Sequence, residues 1–174
     1  MNILDDFKQI RAFVFDVDGV LTDGTVWVFE EEKLIRRMNI KDGYALQLAV
    51  KKGLFICVIS GGNSPEVKSR LAGLGISDVY MNVKDKKEVL TRFVVSNHLK
   101  WEEVLYMGDD IPDWEVMQMV GLPCCPADAV SEIRGISRYV SPQAGGAGCV
   151  RDVLEKTMKL SKVWENDIEI SSNL

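Results

Sequence analysis

The stretch Ala12 to Gly24, A-F-V-F-D-V-D-G-V-L-T-D-G, restricts what this chain can become more than any other. Phe13, Val14 and Phe15 form an apolar run of strand formers, short enough to read as a buried strand. Asp16 and Asp18 stand at its exit, and strand alternation sends side chains two apart to the same side. Gly19 then frees the backbone for a sharp turn. Two carboxylates in such a place repel each other and lose hydration, so a fold keeps them where a cation or a reaction uses them. For either aspartate alone, the competing reading is a solvated strand end or an Asx-turn.

The rest of the chain alternates strand and helix patterns. Thr25 to Phe29, the charged turn Glu30 to Glu32 and Lys33 to Ile40 read as a hairpin over about residues 25–40. Trp27 and Phe29 share one face of it. Tyr44 to Lys52 is an amphipathic helix, and Leu54 to Ile59 a continuous apolar strand. A helix begins at Ser64-Pro65-Glu66 and runs to about Leu74. A short strand over Asp78 to Val83 precedes a helix from Lys86 to about His98. The strand Glu103 to Met107, the helix Trp114 to Val120, and the segments Leu122 to Pro126, Ala127 to Gly135, Arg138 to Val140 and Gly148 to Leu160 continue the alternation. Residues 1–160 therefore read as one doubly wound α/β domain with a mostly parallel sheet. Residues 161–174 read as a polar, frayed tail.

In such sheets ligands collect at the carboxyl ends of the strands. Four strand ends here carry polar groups: Asp16 and Asp18; Ser60; Lys84 to Lys87; and Asp109, Asp110 and Asp113. The single histidine, His98, sits in a polar stretch that reads as a helix end, so a histidine-rich metal site is excluded and carboxylates and lysine must do any proton or nucleophile chemistry. Several carboxylates without histidine suit a hard cation such as Mg²⁺. Gly61 and Gly62 permit close backbone approach, and the helix start near Ser64 points N–H groups at an anion. The combination suggests phosphoryl transfer onto an aspartate, with Asp16 attacking phosphorus and Asp18 as acid and base. A net charge of -5 disfavours nucleic acid as a partner. No apolar run reaches the ~20 residues of a membrane span. Met1 to Arg11 lacks a signal-peptide core, and Cys57, Cys124, Cys125 and Cys149 match no zinc spacing, so a cytoplasmic protein with free thiols is expected.

The ordered set D-V-D-G-V, I-S-G, Lys86 and G-D-D-I-P-D resembles the haloacid dehalogenase-like superfamily of aspartyl phosphatases. That resemblance implies Asp16 as nucleophile, Asp18 as acid/base, and Ser60 and Lys86 on the phosphate. It implies Mg²⁺ on Asp16, the Asp18 carbonyl and Asp109, with Asp110 and Asp113 in support. The gaps between motifs hold no cap domain, so the site would be open unless another chain covers it. A phospho-accepting receiver domain, the alternative from another class, would carry its aspartate on a later strand, and none ends Leu54 to Ile59.

Phe13 to Gly24, Asn39 to Tyr44, Gly108 to Trp114 with Val116-Met117, and Gly145 to Arg151 resemble more closely the 3-deoxy-D-manno-octulosonate 8-phosphate phosphatase family. Its members are capless Mg²⁺-dependent homotetramers acting on a sugar acid phosphate in lipopolysaccharide precursor synthesis. The resemblance implies substrate contacts at Asn39, Ile40, Lys41, Asp42 and Gly43. It adds Gln47, Gly61, Gly62, Arg70, Lys86 and Arg151, the last beside a glycine-rich stretch that in relatives approaches a neighbouring subunit's site. Many relatives carry arginine where this chain has Lys41, Gln47 and Gly62. Arginine clamps a carboxylate with two parallel hydrogen bonds and lysine does not, so the sugar carboxylate must be held otherwise. The related phosphatases of nine-carbon sugar acid 9-phosphates are the alternative substrate class. They tend to carry glutamate and lysine where this chain has Gly62 and Gly73.

Overall fold

The computed structural model describes residues 2–30 and 34–170. Six strands form one parallel sheet: β1 (Ala12–Phe15), β4 (Phe55–Ile59), β5 (Asp78–Tyr80), β6 (Val104–Met107), β7 (Leu122–Cys125) and β8 (Tyr139–Val140). Their spatial order is β5-β4-β1-β6-β7-β8. The apolar run of β1 thus lies at the centre, Phe13 opposite Ile56 on one side and Leu105 on the other. The chain first winds outward through β4 and β5, then returns to the other flank of β1. That reversal opens a crevice at the carboxyl ends of β4, β1 and β6.

Period-two alternation divides the core into two layers. Phe13 and Phe15 face α1 (Ile3–Gln9), α2 (Ile40–Lys51) and α7 (Cys149–Leu160), packing with Phe7, Leu46, Leu48, Val153 and Leu154. Ala12 and Val14 face α4 (Lys86–Ser96), α5 (Trp114–Met117) and α6 (Ser131–Ile136), packing with Leu90, Phe93, Val116 and Ile133. α3 (Pro65–Gly73) covers the flank of β4 and β5 with Val67 and Leu71. All four cysteines are free and buried.

The departures from the sequence reading are local. The hairpin has only β2 (Trp27–Val28) and β3 (Leu34–Ile35), paired antiparallel, with one further bridge between Thr22 and Met38. Glu31, Glu32 and Lys33, expected in its turn and return strand, lie outside the described residues. α2 starts at Ile40 rather than Tyr44, because the Asn39 side chain accepts from Lys41 N at 2.8 Å and caps it. Asn39 to Gly43 is therefore a cap and a first helical turn. β5 and α5 are shorter than expected, and α1, within the stretch Met1 to Arg11, was not anticipated.

Between Ser161 and Ile170 the tail lies against the domain. Val163, Trp164 and Ile170 pack on the core, and Tyr44 stacks edge-on against Trp164. Lys51 and Lys52 pair with Asp167 and Glu165. Polar composition concealed these apolar anchors; residues 171–174 lie outside the described residues.

Candidate active site

β1 stops at Phe15, and Asp16 follows as a buried residue whose N–H donates to Met107 O at 3.1 Å. Asp18 lies inside the tight turn Val17–Leu21. The turn, not strand alternation, aims its side chain, which is a correction to the sequence argument. Gly19 turns the backbone there with φ +87°, and no other residue fits: an added β-carbon would lie 1.9 Å from Asp109 Oδ2. Gly108, at the end of β6, does the same for the second acid, since a β-carbon there would sit 2.4 Å from Asp113 Cβ. Two glycines thus let carboxylates from β1 and β6 approach closely. The oxygens of Asp16, Asp109 and Asp113 lie within 4.8 Å of one another.

Lys86 opens α4, whose N-cap is Asp85, and its ammonium reaches back into this cluster. Nζ donates to Asp16 Oδ1 at 3.0 Å and to Asp113 Oδ1 at 2.7 Å. The Tyr106 hydroxyl donates to the same Asp113 oxygen at 2.7 Å, and Asp109 N donates to Asp113 Oδ2 at 3.2 Å. Asp113 is therefore committed to orienting Lys86 and fixing the turn after β6. Burial draws the Lys86 ammonium down, but Asp16 and Asp113 outweigh it and hold the group above the ordinary lysine range.

The acids are strained in the opposite sense. Burial, and then Asp113, push Asp16 up to about 6 despite Lys86. Burial, then Asp16, Asp113 and Asp110, push Asp109 up to about 7. Hard oxygen donors crowded together at this cost fit a small divalent cation, which relieves both burial and repulsion. Asp16 and Asp109 are the groups of this cluster that could hold one, Asp113 being engaged by Lys86 and Tyr106.

Ser60 ends β4, buried. Its Oγ accepts from Gly62 N at 3.1 Å, which leaves the hydroxyl proton to donate elsewhere. Gly61, Gly62, Lys86 and the acids line a cleft of about 290 Å³. Asp110 reaches only the rim, where its Oδ1 accepts from Ile111 N at 2.8 Å.

The remaining candidates lie outside this cleft within one chain. Asp42 and Gly43 are buried in the first turn of α2. Asp42 Oδ1 accepts from Arg151 N at 2.8 Å, capping α7, whose own N-cap is Gly148. The Asn39 amide donates to Gly146 O at 3.1 Å. Lys41 and Arg151 line a separate cavity of about 460 Å³, while Ile40 and Arg70 line another of about 300 Å³. Gln47 is half-buried further along α2.

Two functional features escaped the sequence reading. Arg36, just after β3, forks onto Asp18, Nε to Oδ1 at 2.6 Å and Nη2 to Oδ2 at 3.3 Å. The one available hint was the Arg36-Arg37 pair on the strand facing an acidic turn. The glycine-rich stretch backs the Val17–Leu21 turn of its own chain: Gly146 N donates to Val20 O at 3.0 Å. A β-carbon on Gly145 would lie 1.9 Å from Gly19 O.

No family model matches the chain. The curated 3-deoxy-D-manno-octulosonate 8-phosphate phosphatase of Escherichia coli is 32% identical over 154 residues, which is 88% of this chain and 82% of that protein. The crystal structure of the phosphatase of that name from Yersinia pestis matches with a TM-score of 0.93 at 28% identity, covering 97% of this chain and 91% of that one. The phosphatase of that name from Moraxella catarrhalis, solved with magnesium ion, phosphate ion and a KDO molecule, matches with a TM-score of 0.87 at 30% identity, covering 91% of each chain.

Proposed function

The chain belongs to the 3-deoxy-D-manno-octulosonate 8-phosphate phosphatase family of the haloacid dehalogenase-like superfamily, and we propose that it is a Mg²⁺-dependent phosphatase of that sugar acid phosphate, acting in lipopolysaccharide precursor synthesis. The observation that carries the reading is the buried Asp16 carboxylate, bridged through Lys86 to Asp113 and close to Asp109, at the mouth of a cleft built for phosphate.

The residues divide the work as follows. Ser60, the N–H groups around Gly61 and Gly62, and Lys86 receive the phosphate oxygens and set phosphorus opposite Asp16. An Asp16 oxygen forms a bond to phosphorus while the bond to the sugar oxygen breaks, and the sugar oxygen leaves with its electron pair. Asp18 gives that oxygen a proton, then takes one from the water that attacks the aspartyl-phosphate and releases inorganic phosphate. Asp16, Asp109 and the Asp18 carbonyl would hold Mg²⁺, which neutralises the charge that phosphate presents to Asp16. Lys86, held charged by two acids, keeps Asp16 ionised.

The assembly reading rests on the hairpin. Trp27 and Val28 are 67% and 74% exposed, and Phe29, Leu34 and Ile35 are also exposed, an apolar surface that a two-stranded ribbon leaves open in water. We take this surface as the contact of a homotetramer in which neighbours cover the open clefts. That arrangement gives Asn39 to Gly43, Gln47 and Arg151 a route to substrate that one chain alone does not offer. Among the described residues no helix is long and apolar enough to cross a membrane. A cytoplasmic location is part of the same reading.

The deciding experiment is a phosphate-release screen of sugar acid phosphates against ordinary sugar phosphates, with Mg²⁺ and with EDTA. Preferred, Mg²⁺-dependent release from 3-deoxy-D-manno-octulosonate 8-phosphate is expected. A preference for neutral sugar phosphates would reject the substrate class.

A further inference from the structure

Arg36 is held in an unusual way for a residue on a two-stranded hairpin. Its side chain is 7% exposed, less than the 38% of Asp18, the acid it clasps. Two of its nitrogens are spent on that carboxylate, and the third, Nη1, is buried with no hydrogen-bond partner among the described residues. A charged donor left dry is costly, so the fold keeps it where a ligand completes it. The space it occupies exists because residue 62 is glycine. A β-carbon there would come within 3.0 Å of Asp18 Oδ2, 3.2 Å of Arg36 Nη2 and 3.4 Å of Ser60 Oγ. The guanidinium therefore borders the phosphate cradle on one side. On the other it lines the cavity of about 300 Å³, whose walls include Met38, Ser64, Glu66 and Arg70. Glu66 there accepts from Ser64 Oγ at 3.2 Å and keeps its charge, so what favours an anion at this wall is the unspent Nη1 of Arg36.

We propose that Arg36 is the specificity residue for a second anionic group on the substrate, a carboxylate one sugar's length from the phosphate that sits against Asp16. This rests on the sugar acid phosphate reading and deepens it. A substrate with an anion at each end fills the cleft with its phosphate and the adjoining cavity with its carboxylate. Arg36 stands at the junction, and its one unspent nitrogen, Nη1, is the charged donor left for that carboxylate. Its hold on Asp18 positions that side chain beside the same junction. The chain thereby clamps a carboxylate without arginine at 41, 47 or 62.

The test compares a 3-deoxy-2-keto sugar acid phosphate with a neutral sugar phosphate, in Mg²⁺, for the wild type, Arg36→Gln and Arg36→Lys. The readout is the ratio of kcat/KM between the two substrates. Loss of the Asp18 contact slows both by a common factor, and the ratio cancels it. Arg36→Gln is expected to cut the ratio ~10–100-fold, the range for a charge-assisted hydrogen bond, with Arg36→Lys recovering part of it. An unchanged ratio, with both substrates slowed alike, means that Arg36 acts only through Asp18, and overturns the proposal. A wild type that shows no preference for the acid phosphate fails at the earlier step, the functional reading itself. A binding measurement stands apart from turnover. The free sugar acid should bind Asp16→Asn enzyme at least ~10-fold more tightly than Asp16→Asn/Arg36→Gln enzyme, and equal affinities reject the assignment.

Discussion

Asp42 gives the sharpest test of how this structure is held together. It is a helix residue that serves another helix, with Oδ1 accepting from Arg151 N at 2.8 Å and Oδ2 buried without a hydrogen-bond partner among the described residues. Burial raises its pKa from 3.8 to about 6, against the pull of the Arg151 N–H and guanidinium. The folded protein therefore binds a proton more tightly than the unfolded chain does. Stability is full below the unfolded value and falls as pH rises from about 4 through about 6, then levels. A shift of about 2 units corresponds to about 3 kcal/mol. Asp42→Asn keeps an acceptor for Arg151 N and has no charge to bury. Urea unfolding of both proteins in EDTA at half-unit steps from pH 4 to 8 gives a difference curve in which all other titrations cancel. The variant should gain on the wild type by an amount approaching 3 kcal/mol across that window. Parallel curves would refute the claim that a charged Asp42 is a liability kept for its position.

Other consequences follow from the same contacts. Asp16→Asn should reduce phosphate release to background; substantial turnover would remove the covalent step. Asp18→Asn should cost roughly 10²–10⁴-fold in kcat if it is the acid and base. Gly145→Ala drives a β-carbon into Gly19 O, so kcat should fall and the Mg²⁺ concentration for half activation should rise. A core variant such as Leu90→Ala, matched in lost thermal stability, should leave that concentration unchanged. Trp27→Asp together with Val28→Asp should convert a tetramer to a smaller species by light scattering; an unaltered mass places the assembly surface elsewhere.

Much of the site was legible because its pieces are short-range. A strand followed by Asp16, Val17, Asp18 and Gly19 encodes the acid, the turn and the space the turn requires within one peptide. The same holds for Ser60-Gly61-Gly62 and for Gly108-Asp109. What pairs across the chain was not legible. Arg36 meets Asp18 because a hairpin folds back by an amount that the β2–β3 pairing and the Thr22–Met38 bridge set, and nothing in L-I-R-R-M distinguishes the buried arginine from its exposed neighbour Arg37. The helical setting of Asp42 was not legible because the Asn39 cap that makes it helical is visible only once Lys41 N is placed. Trp164 was hidden by polar neighbours, although its packing on Tyr44 and Arg151 is what holds the tail.

The charge balance of the cleft leads to a last expectation. Asp16, Asp18, Asp109, Asp110 and Asp113 line it, against Lys86 within it and Arg36 at its border. Asp113 and Asp18 have cationic partners, while Asp109 lies among like charges, its pKa raised to about 7 by burial first and by three neighbouring acids after that. Without a metal, neutralising Asp109 should remove repulsion. Asp109→Asn is therefore expected to be more stable than the wild type in EDTA. With Mg²⁺ the order reverses, because an ion that binds only the folded state stabilises it by mass action, about 2.7 kcal/mol at a hundred times Kd. For a chain of this size that is a rise in Tm on the order of 5–10 °C. The variant, lacking a ligand, should show little of it. Thermal melts of the two proteins in EDTA and in Mg²⁺ decide the matter. An Asp109→Asn protein that is weaker in EDTA, or that gains as much from Mg²⁺ as the wild type, would mean that Asp109 is a structural acid and that the ion is held by other groups.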